Sequence, residues 1–453
     1  MSNPTFHSAS SRLILLDLPW HRPGDPRVPL GHASLLAALR GSEGLIDVES
    51  LVIPVTGQTT ASVVLEQLRG VLQARPCTNN VLGLGVYCWN EHLVGELLRR
   101  LREERLFARV IAGGPQITFA PGALETLYPG VDAFVRGAGE QVLSEIVLGA
   151  ARTPMAGVHW AGGAPRDGIA NAILGELPSP WLTGVLTPSA GAVVRWESHR
   201  GCRYRCRFCQ HASPSIPRPS SGVGRKDDLP QRLQAELALF TSAKVSKINV
   251  LDPLFNESPH ALSVLRFLQG LDYRGRLSLQ CRAETCTAEF LSAAAGLNTT
   301  IEIGIQSVHS DECAAAGRRN DLPSIERTIE GALALGLDVE ASLIYGLPLQ
   351  TLTSFGQSVD WCLARRIPTV KAFPLLLLRG TRLAAELDRW GYPPIDHPMQ
   401  EAIYSATYSE RDWVQMQAIA ERLRATEGRH PLDLCDSLKA VQNSASNDDG
   451  GAQ

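Results

Sequence analysis

Short apolar runs alternate with amphipathic stretches from about Arg12 to Ala150. Leu13–Leu18, Val48–Val55, Asn80–Tyr87, Ala108–Gly113 and Asp132–Arg136 have the length and apolar density of buried strands. Between them Leu93, Leu97, Leu98, Leu101 and Leu106 recur at near-helical spacing, and 59–74 reads the same way. Five strand–helix repeats over 1–150 predict a doubly wound parallel sheet. Ligands of such sheets sit beyond the carboxyl ends of the strands. There the chain places Pro19 and Trp20, then Tyr87, Cys88, Trp89 and Asn90. The fourth strand is followed by Gly113, Gly114, Pro115 and Gln116, and the fifth by Gly137, Ala138, Gly139 and Glu140. Small and aromatic residues gathered at one edge suit a large flat ligand approached closely by backbone. Tight strand–helix turns would call for the same glycines.

Residues 151–190 are rich in turn formers and read as a linker. A second alternation fills 191–385, with strands expected at Ala192–Glu197, Lys247–Leu251, Leu277–Cys281, Thr300–Ile305, Val339–Tyr345 and Val370–Leu377. Six such units predict a partial (β/α)6 barrel, whose site lies at the C-terminal ends of its strands. Residues 386–440 read as a helical region, mostly over 398–425, and the polar, glycine-containing end, 441–453, as a disordered tail.

Directly after the first barrel strand come Cys202, Cys206 and Cys209, spaced C-x3-C-x2-C. With 10 Cys in the chain, chance would produce about 0.005 such spacings. A [4Fe–4S] cube usually takes one Cys per iron, so three thiolates leave one iron open for a small molecule. A zinc site needs four ligands, and His211 stands ready as the fourth. Buried core thiols account for Cys as a residue type but not for this clustering. Arg200, Arg203, Arg205 and Arg207 crowd the same loop, where positive charge would favour thiolates.

Composition narrows the class. The chain of 453 residues is 44% hydrophobic and 20% charged, long enough for two or three cores. A net charge of −3 gives no reason to expect a nucleic-acid partner. The N-terminus lacks a secretory apolar region, and no apolar run reaches the ~18 residues a membrane helix needs. Scattered cysteines fit a reducing cytoplasm.

The three-cysteine segment, with Phe208 just before its last Cys, resembles the cluster loop of the radical S-adenosylmethionine enzymes. The resemblance implies a [4Fe–4S] cluster on Cys202, Cys206 and Cys209, with S-adenosylmethionine chelating the open iron. Its reductive cleavage would give a 5′-deoxyadenosyl radical, fed by an external electron donor such as flavodoxin or ferredoxin. In that family the loop holding Asp252 lies near the methionine moiety; as a plain sequence feature Asp252 reads equally as a turn or cap residue. Arg282 and Glu284, charged at a strand end, read as pocket residues or as a mutual salt bridge. Glu302, Gly304 and Gln306 share a strand face by period two, and Glu302 needs a partner there. The Gln306-Ser307 ending resembles the segment bordering the ribose, Arg318 the arginine near the cofactor carboxylate, and 344–348 (IYGLP) the turn that supports adenine. Tyr345 reads alternatively as core.

Pro29-Leu30-Gly31, Gly113-Gly114-Pro115, and Asp132 ahead of Gly137-x-Gly139-Glu140 together resemble the cobalamin-binding-type domain of many such enzymes. Tyr87-x-Trp89-Asn90 is similar to one subgroup. The Asp-x-His-x-x-Gly motif that supplies a lower histidine ligand elsewhere is absent. The whole implies a cobalamin-dependent radical methyltransferase acting on an unactivated carbon of a small molecule, natural-product precursor or peptide. Radical chemistry without cobalamin, and a non-catalytic iron–sulfur or zinc module, are the other readings.

Overall fold

The computed structural model describes residues 11–20, 26–40, 46–149, 154–163, 168–212 and 229–432. The chain divides into two compact units, the first holding residues 1–195, 214–217 and 230–243, the second the rest. The expected tail, 441–453, lies outside the described residues.

The first unit is built on six strands: β1 (Ser11–Asp17), β2 (Ile46–Val52), β3 (Asn80–Gly85), β4 (Arg109–Gly113), β5 (Ala133–Val135) and β6 (Val158–Trp160). Their order is β2-β1-β3-β4-β5-β6. The β1–β5 pairings are parallel, and β6 joins β5 antiparallel. β1 lacks polar alternation because both its faces are covered. Ile14, Leu16 and Leu18 enter one core with the helices Ala61–Ala74 and Glu91–Glu104; Leu13 and Leu15 enter the other with Leu39, Leu143 and Ile146. Since β1 lies between β2 and β3, the strand order reverses there, and the loops after β1 and β3 flank the switch point.

The segment 151–190 is more than a linker. β6 lies inside it, and Ala170 exchanges backbone hydrogen bonds with Arg136 and Ala138 at 2.7 and 2.8 Å. A three-residue strand among Gly and Pro carries too little periodicity to be read from sequence.

The second sheet is β7 (Val193–Trp196), β8 (Lys247–Val250), β9 (Arg276–Cys281), β10 (Asn298–Gln306), β11 (Asp338–Tyr345) and β12 (Thr369–Pro374). Its strands lie side by side in chain order, and the pairings from β8 to β12 are parallel, as a partial (β/α)6 barrel requires. Period two sorts the residues of β10: Ile301, Ile303 and Ile305 are fully buried, whereas Glu302, Gly304 and Gln306 take the other face. Register puts Gln280 of β9 and Glu340 of β11 beside Glu302 on that face.

The C-terminal region is less helical than expected over 398–409. Its long helix, Glu410–Ala425, begins at a capping box of Ser409 and Asp412. No helix among the described residues is long and apolar enough to cross a membrane.

Candidate functional site

The three cysteines follow β7 on a loop that the rest of the second unit holds by its backbone. Arg207 N–H donates to Ala316 O at 2.8 Å, and Leu383 N–H to Arg207 O at 3.0 Å. Gly317, at φ +69°, lets the loop lie close; a Cβ there would stand 2.8 Å from Arg207 Cγ and 3.1 Å from Arg205 O. Arg207 pairs with Glu386 at 2.6 Å, and Gln210 Nε2 donates to Arg379 O at 3.1 Å. Cys202, Cys206 and Cys209 are half-buried and not disulfide-bonded. Three soft thiols within eight residues fit an iron–sulfur cluster as a donor set. Among the described residues no group of three or more His, Cys, Asp or Glu side chains is already gathered as a metal site. His211, the candidate fourth zinc ligand, is exposed.

Arg200, Arg203 and Arg207 of the loop are engaged with carboxylates. Arg200 pairs with Glu197 at 2.6 Å, Arg203 with Glu257 at 2.7 Å, and Arg207 with Glu386. The positive charge of these three is thereby shared with carboxylates. Burial pushes the Cys202 thiol up, and neighbouring Cys206 adds to it.

Asp252 is held by its own chain. It is fully buried and accepts from Ser198 N (2.8 Å), His199 N (3.1 Å) and Ser198 Oγ (2.5 Å), clamping the chain just before the cysteines. Burial raises its carboxyl to about 6 against these hydrogen bonds. Glu284 is paired with Arg282 at 2.9 Å, the mutual bridge that the sequence left open. Glu302 has its partner in the Ser278 hydroxyl, and Glu340 beside it in Lys371 at 2.6 Å. Phe208 is half-buried in the loop.

At the end of β10 the ladder to β11 breaks register between Gly304 and Gln306, and Gln306 sits at φ +68°. A non-glycine residue in the left-handed region is strained, and its surroundings must impose the conformation. Arg318 does so by donating to Gly304 O, and Asn320 Nδ2 by donating to Ile305 O (2.7 Å) and Ser307 O (2.9 Å). Arg318 Nε is bound to Asn320 Oδ1 at 2.7 Å, so much of this guanidinium supports the bulge. Ser307 is fully buried and donates to Glu312 at 2.6 Å, a structural contact in place of the expected ribose border. Gln350 Nε2 also reaches Glu312 at 3.3 Å, while its Oε1 accepts from Gly346 N at 2.7 Å and Leu347 N at 3.2 Å. Gly346 O in turn accepts from Tyr392 (2.7 Å) and Tyr408 (3.1 Å). The 344–348 turn is therefore tied to its own chain through Gly346. The Tyr345 side chain is core, 5.7 Å between ring centroids from both Phe355 and Trp413. Glu312, Gln350, Tyr392 and Tyr408 were missed by sequence reasoning, because partners 38 to 62 positions apart leave no local pattern.

In the first unit the switch-point edge is held from within. Trp89 Nε1 and Asn90 Nδ2 both donate to Leu18 O at 3.1 Å, and Tyr87 N–H donates to Asn90 Oδ1 at 2.8 Å. Asn90 is fully buried and Gln116 nearly so, its amide on Glu91 at 2.5 Å beside the Tyr128 hydroxyl at 2.6 Å. Both amides, expected as ligand contacts, are hydrogen-bonded within the fold, as buried polar groups are. Gly114 (φ +95°) lies where a Cβ would meet Val86 O at 2.7 Å, and Gly137 (φ +90°) where it would meet Ala170 O at 2.3 Å. Close chain packing thus explains both. A Cβ on Gly139 would come within 3.1 Å of Leu35 Cδ2, whereas on Gly113 it would have ordinary contacts. Pro115 is half-buried and Pro19 buried, and Trp20 stands 54% exposed. The Tyr87 and Trp89 rings stack at 4.5 Å. Burial, with Asp17 and Glu140 nearby, drives the Tyr87 hydroxyl well above its usual range.

Residues 196–362 match the Radical SAM superfamily model. The chain is 26% identical over 308 residues to 2-(S-pantetheinyl)-carbapenam-3-carboxylate methyltransferase of Streptantibioticus cattleyicolor, covering 62% of this chain and 44% of that protein. It is 26% identical over 310 residues to the cobalamin-dependent radical SAM methyltransferase TokK of Streptomyces tokunonensis, with the same 62% and 44% shares. The matches thus span under half the length of these curated relatives. In fold it resembles TsrM of Kitasatospora setae, solved with cobalamin and a [4Fe-4S] cluster (TM-score 0.64, 20% identity, 84% of this chain and 75% of that one). It also resembles the cobalamin-dependent enzyme OxsB (TM-score 0.60, 17% identity, 93% and 57%). The cysteine loop and the strands β8 to β11 lie within the span, 196–362, that is similar to the Radical SAM superfamily model.

Proposed function

We propose that this chain is a cobalamin-dependent radical S-adenosylmethionine methyltransferase acting on an unactivated carbon of a small molecule or natural-product precursor. The observation that carries the reading is the three-thiol loop, pinned at Arg207 beside the carboxyl ends of the second sheet. Cys202, Cys206 and Cys209 would hold the cluster, with Phe208, Glu284, Glu302, Gln306 and Arg318 around S-adenosylmethionine. Pro19, Trp20, Tyr87, Trp89, Gly113, Gly114, Pro115, Gly137, Gly139 and Glu140 would line the cobalamin edge. When bound, the cluster supplies the electron that cleaves S-adenosylmethionine, and cobalamin serves as the methyl carrier.

The chain's own part is to fix and to exclude. The Asp252 clamp sets where the loop leaves β7, and the Gln306 bulge interrupts the ladder to β11. Relatives named as methyltransferases and a neighbour solved with cobalamin support this reading over radical chemistry without cobalamin.

The test is anaerobic reconstitution of the full chain with iron, sulfide and cobalamin, followed by absorption and EPR spectra. Methyl-labelled S-adenosylmethionine is then followed into product. Labelled product with both cofactor signatures supports the proposal. Zinc in place of iron, or a cluster that leaves S-adenosylmethionine intact with reductant and candidate substrates, overturns it.

A further inference from the structure

Between Cys202 and Cys206 lies Tyr204, two residues from each. Its hydroxyl donates to Glu257 Oε1 at 2.7 Å, and one face of its ring carries the Arg282 guanidinium at 4.3 Å from the centroid. Glu257 does more than receive this bond. Its Oε2 lies 2.7 Å from Arg203 Nε, and its Oε1 accepts from Thr285 Oγ1 at 2.8 Å. Next to it Asn256 takes both backbone groups of Arg282, accepting from N at 3.0 Å and donating to O at 3.1 Å. Arg282 is fixed in turn by Glu284 and by Arg319 O. One carboxylate, with its side chain only 13% exposed, thus joins the loops that follow β7, β8 and β9.

That placement is costly unless it is used. Acidic side chains are rarely buried without partners, and this one has three, all on strand-end loops. The exposed Arg69–Glu104 pair, by contrast, links two neighbouring helices at the surface. Gathering three cysteines of one loop onto a single metal group costs conformational freedom. Holding Tyr204 at its tip and on its face limits the positions open to both flanking cysteines and lowers that cost.

We infer that Glu257 is a positioning residue for the cysteine loop, acting through Tyr204 and Arg203 and backed by Arg282. The inference rests on the reading that this loop holds an iron–sulfur cluster. It assigns Glu257 no contact with the cluster or with S-adenosylmethionine.

The experiment uses the full chain, reconstituted anaerobically with iron and sulfide, and follows iron release to a chelator alongside the EPR spectrum of the reduced cluster. Glu257→Ala should release iron about tenfold faster than the unsubstituted protein. Glu257→Gln keeps an acceptor for Tyr204 and Thr285, and should recover most of the loss. Tyr204→Phe should weaken retention in the parent but add little on top of Glu257→Ala, since both remove the same bond. A general loss of structure would show as a lower melting temperature of the metal-free chain without that non-additivity. Iron release from Glu257→Ala at the parent rate, or full additivity of the two substitutions, overturns the inference. If the parent chain itself takes up no cluster, the underlying reading fails instead.

Discussion

Asp252→Ala separates a clamp from a cofactor contact. The Asp252 carboxylate receives two backbone N–H groups, from Ser198 and His199, and the Ser198 hydroxyl, with no exposure of its own. Removing it leaves two buried N–H donors without acceptors, at about 1–3 kcal/mol each, so the expected loss is about 2–6 kcal/mol. For a unit of this size each kcal/mol moves the melting temperature by about 2–4 °C, giving a fall of roughly 5–20 °C. Asp252→Asn should behave differently. Its amide oxygen still accepts from both N–H groups, and it escapes the charge burial that lifts the acid from 3.8 to about 6. That shift disfavours the ionised native state by about 3 kcal/mol, so Asn is expected to match or exceed the parent's stability at pH 7. The sign follows from linkage. Between pH 6 and 4 the native carboxyl holds its proton while the unfolded one has lost it, so this group's contribution improves as pH falls through that window. The Asn variant lacks the slope. The assays are thermal unfolding by circular dichroism from pH 4 to 7.5 and equilibrium binding of S-adenosylmethionine. An Ala variant that melts with the parent yet binds S-adenosylmethionine many-fold more weakly would refute the clamp and return Asp252 to the ligand.

Cys206→Ala should abolish stoichiometric iron uptake while leaving the melting temperature of the metal-free chain close to the parent's; metal analysis and EPR check both. Tyr345→Ala, opening a cavity between Phe355 and Trp413, should cost about 3–5 kcal/mol in denaturant unfolding. Gly137→Ala should destabilise the first unit by about 1–3 kcal/mol, since φ +90° is strained and the new Cβ meets Ala170 O. Asp17 is buried and raised to about 6, so Asp17→Asn should stabilise the chain by up to about 3 kcal/mol at pH 7. That advantage should vanish below pH 4, where the acid is protonated in both states, as pH-dependent melting will show.

Sheets were legible because burial writes itself as periodicity. The Leu13–Leu16 run and the alternation of Ile301, Ile303 and Ile305 identify strands before any coordinates exist. The cysteine loop was legible because its three thiols lie within eight residues. What stayed hidden is long-range pairing of polar side chains. Tyr204 finds Glu257 53 positions away, and Tyr408 finds Gly346 62 positions away. Neither partner marks its own segment, since an isolated Glu or Tyr at a strand end reads the same whether it waits for a ligand or already has a neighbour. β6 was hidden for the opposite reason: a three-residue strand holds no period to read.

The consequence is a rule of elimination for the second unit. A strand-end side chain spent on its own fold is a poor candidate for ligand contact, and Asp252, Ser307 and Tyr345 are each spent in this way. Gln306 is different, because the bulge that carries it is braced by Arg318 and Asn320 through backbone carbonyls on either side. The fold maintains a strained glutamine there, and strain imposed on a residue by its neighbours points to a use for its side chain. Leu251 and Phe373 add to this, 43% and 46% exposed at or just past the ends of β8 and β12, where two large apolar side chains remain open to solvent. If the rule holds, Gln306→Ala will relieve local strain and leave stability unchanged or higher while weakening S-adenosylmethionine binding. A loss of stability with intact binding would mean that the bulge serves only the sheet.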